Sequence, residues 1–172
     1  VDRIKKKVAF FDKQEKEIMT ELKVVMSADD EIKRQVALIC TIPGVGLLTA
    51  IIVLAETNGF ELIRNKRQLV SYAGMDVREK QSGTSVRGKP RISKKGNRYL
   101  RKAMHFPALS AIRHDEKYKA IFARLISKHG IKMKAAVCVQ RKMLEMIYTV
   151  FKKQEAYDKM YYQKAAGIQA VV

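Results

Sequence analysis

Residues 42–50 read Ile42-Pro43-Gly44-Val45-Gly46-Leu47-Leu48-Thr49-Ala50. A proline and two glycines stand between two apolar-periodic stretches, which predicts a tight turn joining two helices. Upstream, Asp29 or Asp30 can cap a helix over about 30–41. Downstream, an apolar helix runs to about Glu56, and Asn58-Gly59 ends it as a turn. Asn65 is a candidate cap for a short helix to Ala73. Residues 74–96 hold Gly74, Gly83, Gly88, Gly96 and Pro90 without a helical apolar period, and read as an extended loop or hairpin. The helical pattern returns at Asn97, with Leu100, Met104 and Ala108 spaced by four. Pro107 removes a backbone donor and should kink or split that helix. Asp115 can cap a helix to His129, closed by Gly130. A last helix spans about 131–153, with Ala136, Val139, Met143, Ile147 and Val150 on one face. The fold class is mainly α, with one extended Gly-rich loop.

Residues 1–27 place Ile4, Val8, Phe11, Ile18, Leu22 and Val25 at intervals of 4, 3, 7, 4 and 3. That is a heptad seam in which Glu15 occupies one core position, the pattern of a coiled coil. The predicted organisation is a coiled-coil or oligomerisation helix over 1–28, a helical domain over 29–153 and a loosely packed Tyr- and Lys-rich tail over 154–172. One interrupted seam leaves dimer and tetramer both open.

The chain has 172 residues, 35 Lys and Arg, and 17 Asp and Glu, a net charge of +18. Its 47% apolar content supports a packed core. Charges interrupt every apolar stretch well before the ~20 residues that cross a membrane, and no secretory signal opens the chain. Val1 in place of Met predicts a piece of something longer. Cys40 and Cys138 lie far apart in apolar stretches and read as buried free thiols, without the paired spacing of a zinc site. The excess of positive charge points to a polyanion partner, nucleic acid first.

The charge is concentrated. Residues 78–102 carry ten Lys or Arg against one acid, Glu79. Glycines there let backbone approach a phosphate closely, and the helix opened by Asn97 favours an anion at its start. The 42–50 turn resembles the helix-hairpin-helix element of many DNA-binding proteins, whose contact through Gly44, Val45 and Gly46 is made by backbone to phosphate. An anionic membrane surface is disfavoured, because the chain has no Trp and its cations sit in a loop rather than on an amphipathic helix.

Groups for chemistry are few. His105, His114 and His129 form no metal-ligand pattern and read as surface or interface residues. No P-loop, dinucleotide fingerprint or carboxylate set of a two-metal centre is present. Hydroxyls remain: Ser82, Ser85, Ser93 and Thr84 within the basic loop. A serine among cations can attack a phosphodiester, or it can simply bond a phosphate or shape a turn.

The order of motifs adds a resemblance. The heptad helix leads to 42–50, then Leu69-Val70-Ser71-Tyr72-Ala73-Gly74-Met75, then Gln81-Ser82-Gly83-Thr84-Ser85-Val86-Arg87-Gly88-Lys89 and Arg91-Ile92-Ser93-Lys94-Lys95-Gly96-Asn97-Arg98-Tyr99-Leu100-Arg101. This closely resembles the C-terminal half of the DEDD transposases of bacterial insertion sequences, the IS one-ten type with its relatives and the Piv-type invertases. The run from Tyr72 to Arg101 is its specific part. The resemblance implies a transposase domain like this one, joined by a coiled coil to an N-terminal RuvC-like domain whose four acids bind Mg²⁺. It implies recombination of DNA guided by a bridge RNA, in a homo-oligomer, within the bacterial cytoplasm at the nucleoid. Ser82, followed by Gly83, matches the serine proposed as nucleophile. Arg87, Lys89, Arg91, Ser93, Lys94, Lys95, Asn97, Arg98 and Arg101 are then expected on nucleic acid. The RuvC-like domain and its metal are absent from this sequence, so no cofactor is expected in the chain and the isolated chain is expected to bind without recombining. The competing reading is a DNA- or RNA-binding module whose chemistry lies wholly in the missing half.

Overall fold

A computed structural model describes residues 1–78, 81–82, 86–87 and 91–160, and at 81–82 and 86–87 it describes the backbone alone. The described chain is mainly helical, as its periodicity predicts. It divides into two compact units, Val1–Val36 and Ala37–Val172.

The first unit is built on α1 (Asp2–Ser27), none of whose residues is buried. Ile4, Phe11, Ile18 and Val25 stand exposed at seven-residue intervals along it. The chain breaks at Ala28. The Asp29 carboxylate then accepts from the amides of Glu31 (2.8 Å) and Ile32 (3.1 Å), capping α2 (Asp30–Cys40).

In the second unit, Thr41–Gly46 turns the chain from α2 into α3 (Leu47–Thr57). Gly44 takes φ +86°, and a Cβ there would lie 2.6 Å from the carbonyl oxygen of Pro107 and 3.0 Å from the amide of Ala111. Both belong to α6 (His105–His114), so the turn rests backbone against backbone on that helix. Asn58 ends α3 in the left-handed region, and the Asn65 side chain accepts from the Gln68 amide to cap α4 (Lys66–Tyr72).

The helical stretch after Asn97 divides at Met104, into α5 (Arg98–Ala103) and α6. Pro107 thus falls in the first turn of α6, where a missing amide costs no intrahelical bond. The break comes three residues before the proline because Pro107 cannot donate to Ala103. Asp115 accepts from the amides of Lys117 and Tyr118 to open α7 (Glu116–His129), which Gly130 closes at φ +68°. The long α8 (Lys132–Lys153) follows.

Helices α6, α7 and α8 pack on one another, α3 packs on α5, and α4 packs on α8. The core is the shared apolar face of these helices, joined by Ile39 of α2: Ile39, Ala50, Val53, Leu69, Leu100, Met104, Ala108, Val139, Met143, Leu144 and Ile147 are buried completely. Phe60 packs its ring on Tyr148 and Phe151, with centroids 5.4 and 4.9 Å away, and the Tyr148 hydroxyl donates to the Ile63 carbonyl at 3.1 Å. Each large apolar side chain buried in this way contributes about 1.5–3 kcal/mol.

The thiols differ from the sequence expectation. Cys40 is half-buried, but Cys138 is exposed. The buried side of α8 runs through Ala135, Ala136, Val139, Gln140 and Met143, and at 3.6 residues per turn position 138 falls outside it. Among the described residues, no helix is long and apolar enough to cross a membrane.

Gly44→Ala is expected to destabilise the chain by about 1–3 kcal/mol in urea unfolding, because the side chain meets α6 and φ is strained. Gly46→Ala, with nothing within 4 Å of the added carbon and φ −96°, is expected to leave the midpoint nearly unchanged. Burial pushes the Cys40 thiol above its ordinary range, so at neutral pH mass-mapped alkylation by iodoacetamide is expected at Cys138 well before Cys40.

Candidate nucleic-acid interface

Charge separates the two units. Val1–Val36 carries nine Lys and Arg against eight acids, whereas Ala37–Val172 carries 26 against nine. The positive charge therefore lies on the second unit, and the 78–102 segment is its most basic part.

That segment leaves the helical body after α4 and returns at α5. Two short antiparallel ladders organise it. β1 (Val77–Arg78) pairs with β4 (Arg91–Ile92), Val77 opposite Ile92 and Arg78 opposite Arg91. β2 (Gln81–Ser82) pairs with β3 (Val86–Arg87), Gln81 opposite Arg87 and Ser82 opposite Val86. A two-residue ladder has little stability of its own, so the geometry at the base matters.

At the base the two arms are tied together. The Ser93 amide donates to Asp76 O (2.8 Å), the Lys94 amide to Gly74 O (3.0 Å) and the Asn97 amide to Tyr72 O (2.6 Å). Gly74 and Gly96 make the approach possible. A Cβ on Gly96 would sit 2.1 Å from Tyr72 O and 2.5 Å from the Gly74 amide, and one on Gly74, at φ +63°, 2.6 Å from the Gly96 amide.

The Arg101 guanidinium spans this junction. Its Nη1 donates to Ala73 O at 2.8 Å and Gly96 O at 2.9 Å. Asn97 accepts from the Leu100 amide to cap α5 and donates to Glu56 Oε2 at 2.6 Å. The Tyr72 hydroxyl donates to the Glu56 carbonyl at 2.8 Å, so Glu56 at the end of α3 holds both arms. The Ser93 hydroxyl donates to Asp76 Oδ1.

The expected contact residues thus separate by position. Arg91, Lys94, Lys95 and Arg98 are exposed, with no acid partner among the described residues. Arg101, Asn97 and Ser93 have internal partners and shape the base of the loop. Ser82 and Arg87 lie in the outer ladder as backbone positions; Lys89 and Gly83 lie outside the described residues. At the Thr41–Gly46 turn, Val45 is buried and its amide donates to Ile42 O at 3.0 Å, so it packs, while Gly44 and Gly46 face solvent. Helix α3 begins there without a side-chain cap.

Glu56 and Asp76 carry no sequence signal for this role, and Tyr72 enters the sequence reading only within the family-like run, because an isolated acid or tyrosine does not announce its partner. The described residues do not fit a metal centre. They contain no group of three or more potential ligands, and the two acids nearest the loop base, Glu56 and Asp76, already accept from Asn97 and Ser93.

The fold and the loop describe a helical domain that presents a clamped basic hairpin. Comparison with known proteins places it. Residues 36–123 match the family model described as "Transposase IS116/IS110/IS902 family". The chain belongs to that family. It is 26% identical over 136 residues to the pilin gene-inverting protein of Moraxella bovis, covering 78% of this chain and 42% of the relative. It is 32% identical over 143 residues to the transposase for insertion sequence element IS1111A of Coxiella burnetii, covering 80% of this chain and 37% of that one. A 43.6 kDa protein of insertion element IS110 from Streptomyces coelicolor is 25% identical over 129 residues, 75% of this chain and 31% of its own. The chain spans under half the length of the relatives it matches.

Arg101→Ala is expected to cost about 1–3 kcal/mol, the penalty for leaving two part-buried carbonyls unpaired. Amide hydrogen exchange is expected to speed up at Lys94 and Asn97 and to stay unchanged in α8.

Proposed function

We propose that this chain is the DNA-binding, C-terminal part of a transposase that carries out RNA-guided recombination of an insertion sequence. The observation that carries the reading is the clamped hairpin. It holds four exposed cations, Arg91, Lys94, Lys95 and Arg98, with no acid partner among the described residues, in the same segment as the strand bearing Ser82, in a chain of a transposase family. The uncapped start of α3, with Gly44 and Gly46 beside it, offers a second backbone contact for phosphate.

In this reading Ser82 is the nucleophile. Its hydroxyl oxygen bonds to phosphorus as one phosphodiester P–O bond breaks and the departing strand oxygen takes up a proton. The serine proton must pass to a base, and the neighbouring cations stabilise the charge that develops on phosphorus. No base stands beside Ser82 in the sequence. The chemistry therefore calls for a composite site, in which a RuvC-like domain with its Mg²⁺ supplies the missing groups. The exposed heptad face of α1 supports assembly as a homo-oligomer, dimer or tetramer, which can bring such a domain to Ser82 from another subunit. A guide RNA is the proposed source of sequence choice, since backbone contacts carry no base information.

A binding module without chemistry is the alternative. It is favoured for the chain taken alone by the engagement of Glu56 and Asp76, the acids nearest the loop base, with Asn97 and Ser93. The test joins the chain to the N-terminal RuvC-like domain implied by the resemblance and supplies Mg²⁺, element DNA and RNA. A denaturant-resistant protein–DNA adduct is expected on the peptide containing Ser82 and is expected to vanish in Ser82→Ala, with DNA binding retained. Recombination without any adduct on this chain would overturn the nucleophile assignment and leave the binding module.

A further inference from the structure

The basic loop is not the chain's only concentration of charge. From Lys117 to Leu144 the sequence holds eight Lys or Arg and no acid. This stretch is α7, the turn at Gly130 and the first half of α8, elements that share no ladder with the loop. It adds a second source of positive potential to a unit that carries nearly all of the net charge.

The side chains are arranged as well as charged. Tyr118, Ile121, Phe122, Leu125 and Ile126 form the inner, buried to half-buried side of α7, which packs on α6 and α8. The outer side is exposed along its whole length: Glu116, Lys119, Ala120, Ala123, Arg124, Ser127 and Lys128. At 100° per residue, Ala120, Ala123 and Ser127 fall along its middle line. Lys119 borders that line on one side, Arg124 and Lys128 on the other. Lys132 and Lys134 stand exposed at the adjoining start of α8. The one acid, Glu116, sits at the end of the face and is paired with Lys119 at 3.2 Å, an exposed contact of little strength. Arg124, Lys128, Lys132 and Lys134 have no acid partner among the described residues.

We propose that the outer face of α7 is a second nucleic-acid surface, separate from the basic loop, and that its occupant is duplex DNA. Charge complementarity selects a polyanion. Shape selects the duplex: the major groove of B-DNA, about 12 Å wide, admits a helix, whereas the major groove of A-form RNA is too deep and narrow for side chains to read. Short side chains along the middle of the face let the helix backbone come close, and long cations on both borders reach the flanking phosphates. The proposal does not rest on Ser82 or on the loop. It adds a grip on DNA at α7 to those proposed at the loop and at the start of α3.

The test measures binding of a fluorescein-labelled duplex DNA of mixed sequence by anisotropy across about 50–200 mM KCl. Three proteins are compared: the chain itself, Lys119→Ala/Arg124→Ala/Lys128→Ala, and the loop variant Lys94→Ala/Lys95→Ala/Arg98→Ala. Alanine is the best helix former, so the α7 variant keeps its helix, which circular dichroism checks. The α7 variant is expected to bind at least tenfold more weakly. Its salt slope is expected to be smaller by ~0.9 for each phosphate it leaves unneutralised, about 2.7 for three. A second pair, Ala123→Glu and Ala123→Gln, keeps every cation and matches size. Glu is expected to weaken binding several-fold more than Gln. An unchanged affinity and slope in the α7 variant, with the loop variant impaired, would overturn the second surface and leave the loop reading intact. Equal behaviour of Glu and Gln at position 123 would also overturn it. Duplex RNA of the same sequence that binds as tightly as DNA, and is weakened as much in the α7 variant, would overturn the choice of duplex DNA.

Discussion

The basic loop of the second unit depends on one close approach of backbone to backbone, where Gly74 and Gly96 meet. No side chain fits there: an added carbon on Gly96 would be 2.1 Å from the Tyr72 carbonyl. The approach brings three amides of the returning arm onto carbonyls of the departing arm. Arg101 then satisfies two more carbonyls at the same junction. A guanidinium suits this task because its planar donors hold a fixed geometry. The result is a rigid foot under a hairpin whose own ladders are only two residues long.

The same junction shows how a basic segment can be both structural and available. Of its cations, Arg101 turns inward onto carbonyls, while Arg91, Lys94, Lys95 and Arg98 remain outside. Mutual repulsion among the outer cations opposes a compact arrangement. The tie from Glu56 to Asn97 and Tyr72, together with the glycine contact, offsets it with short, directional bonds. The base of the loop is thereby held by bonds already made, so a polyanion meeting the base would lose little to ordering that part of the backbone.

The two glycine contacts serve one plan. At Gly44 the turn lies on the backbone of α6, and at Gly74 the end of α4 lies on the start of α5. Each brings a surface with free backbone or cationic groups directly over a helix of the core, so neither is carried on a long unsupported loop. Helix α1, by contrast, buries none of its apolar seam and exposes Ile4, Val8, Phe11, Ile18 and Val25 along it. Its heptad spacing supplies the pattern for pairing with another helix.

Much of this was legible in the sequence. Asp29, Asn65, Asn97 and Asp115 each cap a helix where a short polar side chain precedes an apolar period, because capping is local and needs only a few consecutive residues. The basic loop was legible from charge and glycine content alone. Other features were not. Pro107 announces a kink or split, but the exact place of the break, at Met104 rather than at the proline, is not given by the proline alone. The exposure of Cys138 depends on which side of α8 the neighbouring helices cover. The division of the loop's polar residues into clamp and surface rests on contacts such as Asn97 to Glu56, 41 positions apart, and Arg101 to Ala73, 28 apart. By itself the sequence determined the helices, their caps, the turn glycines and the sign and location of the charge, since periodicity and local propensity act over a turn or two of chain. Only the tertiary structure decided which cations face solvent and which close the loop, because that choice is made by carbonyls distant in sequence and adjacent in space.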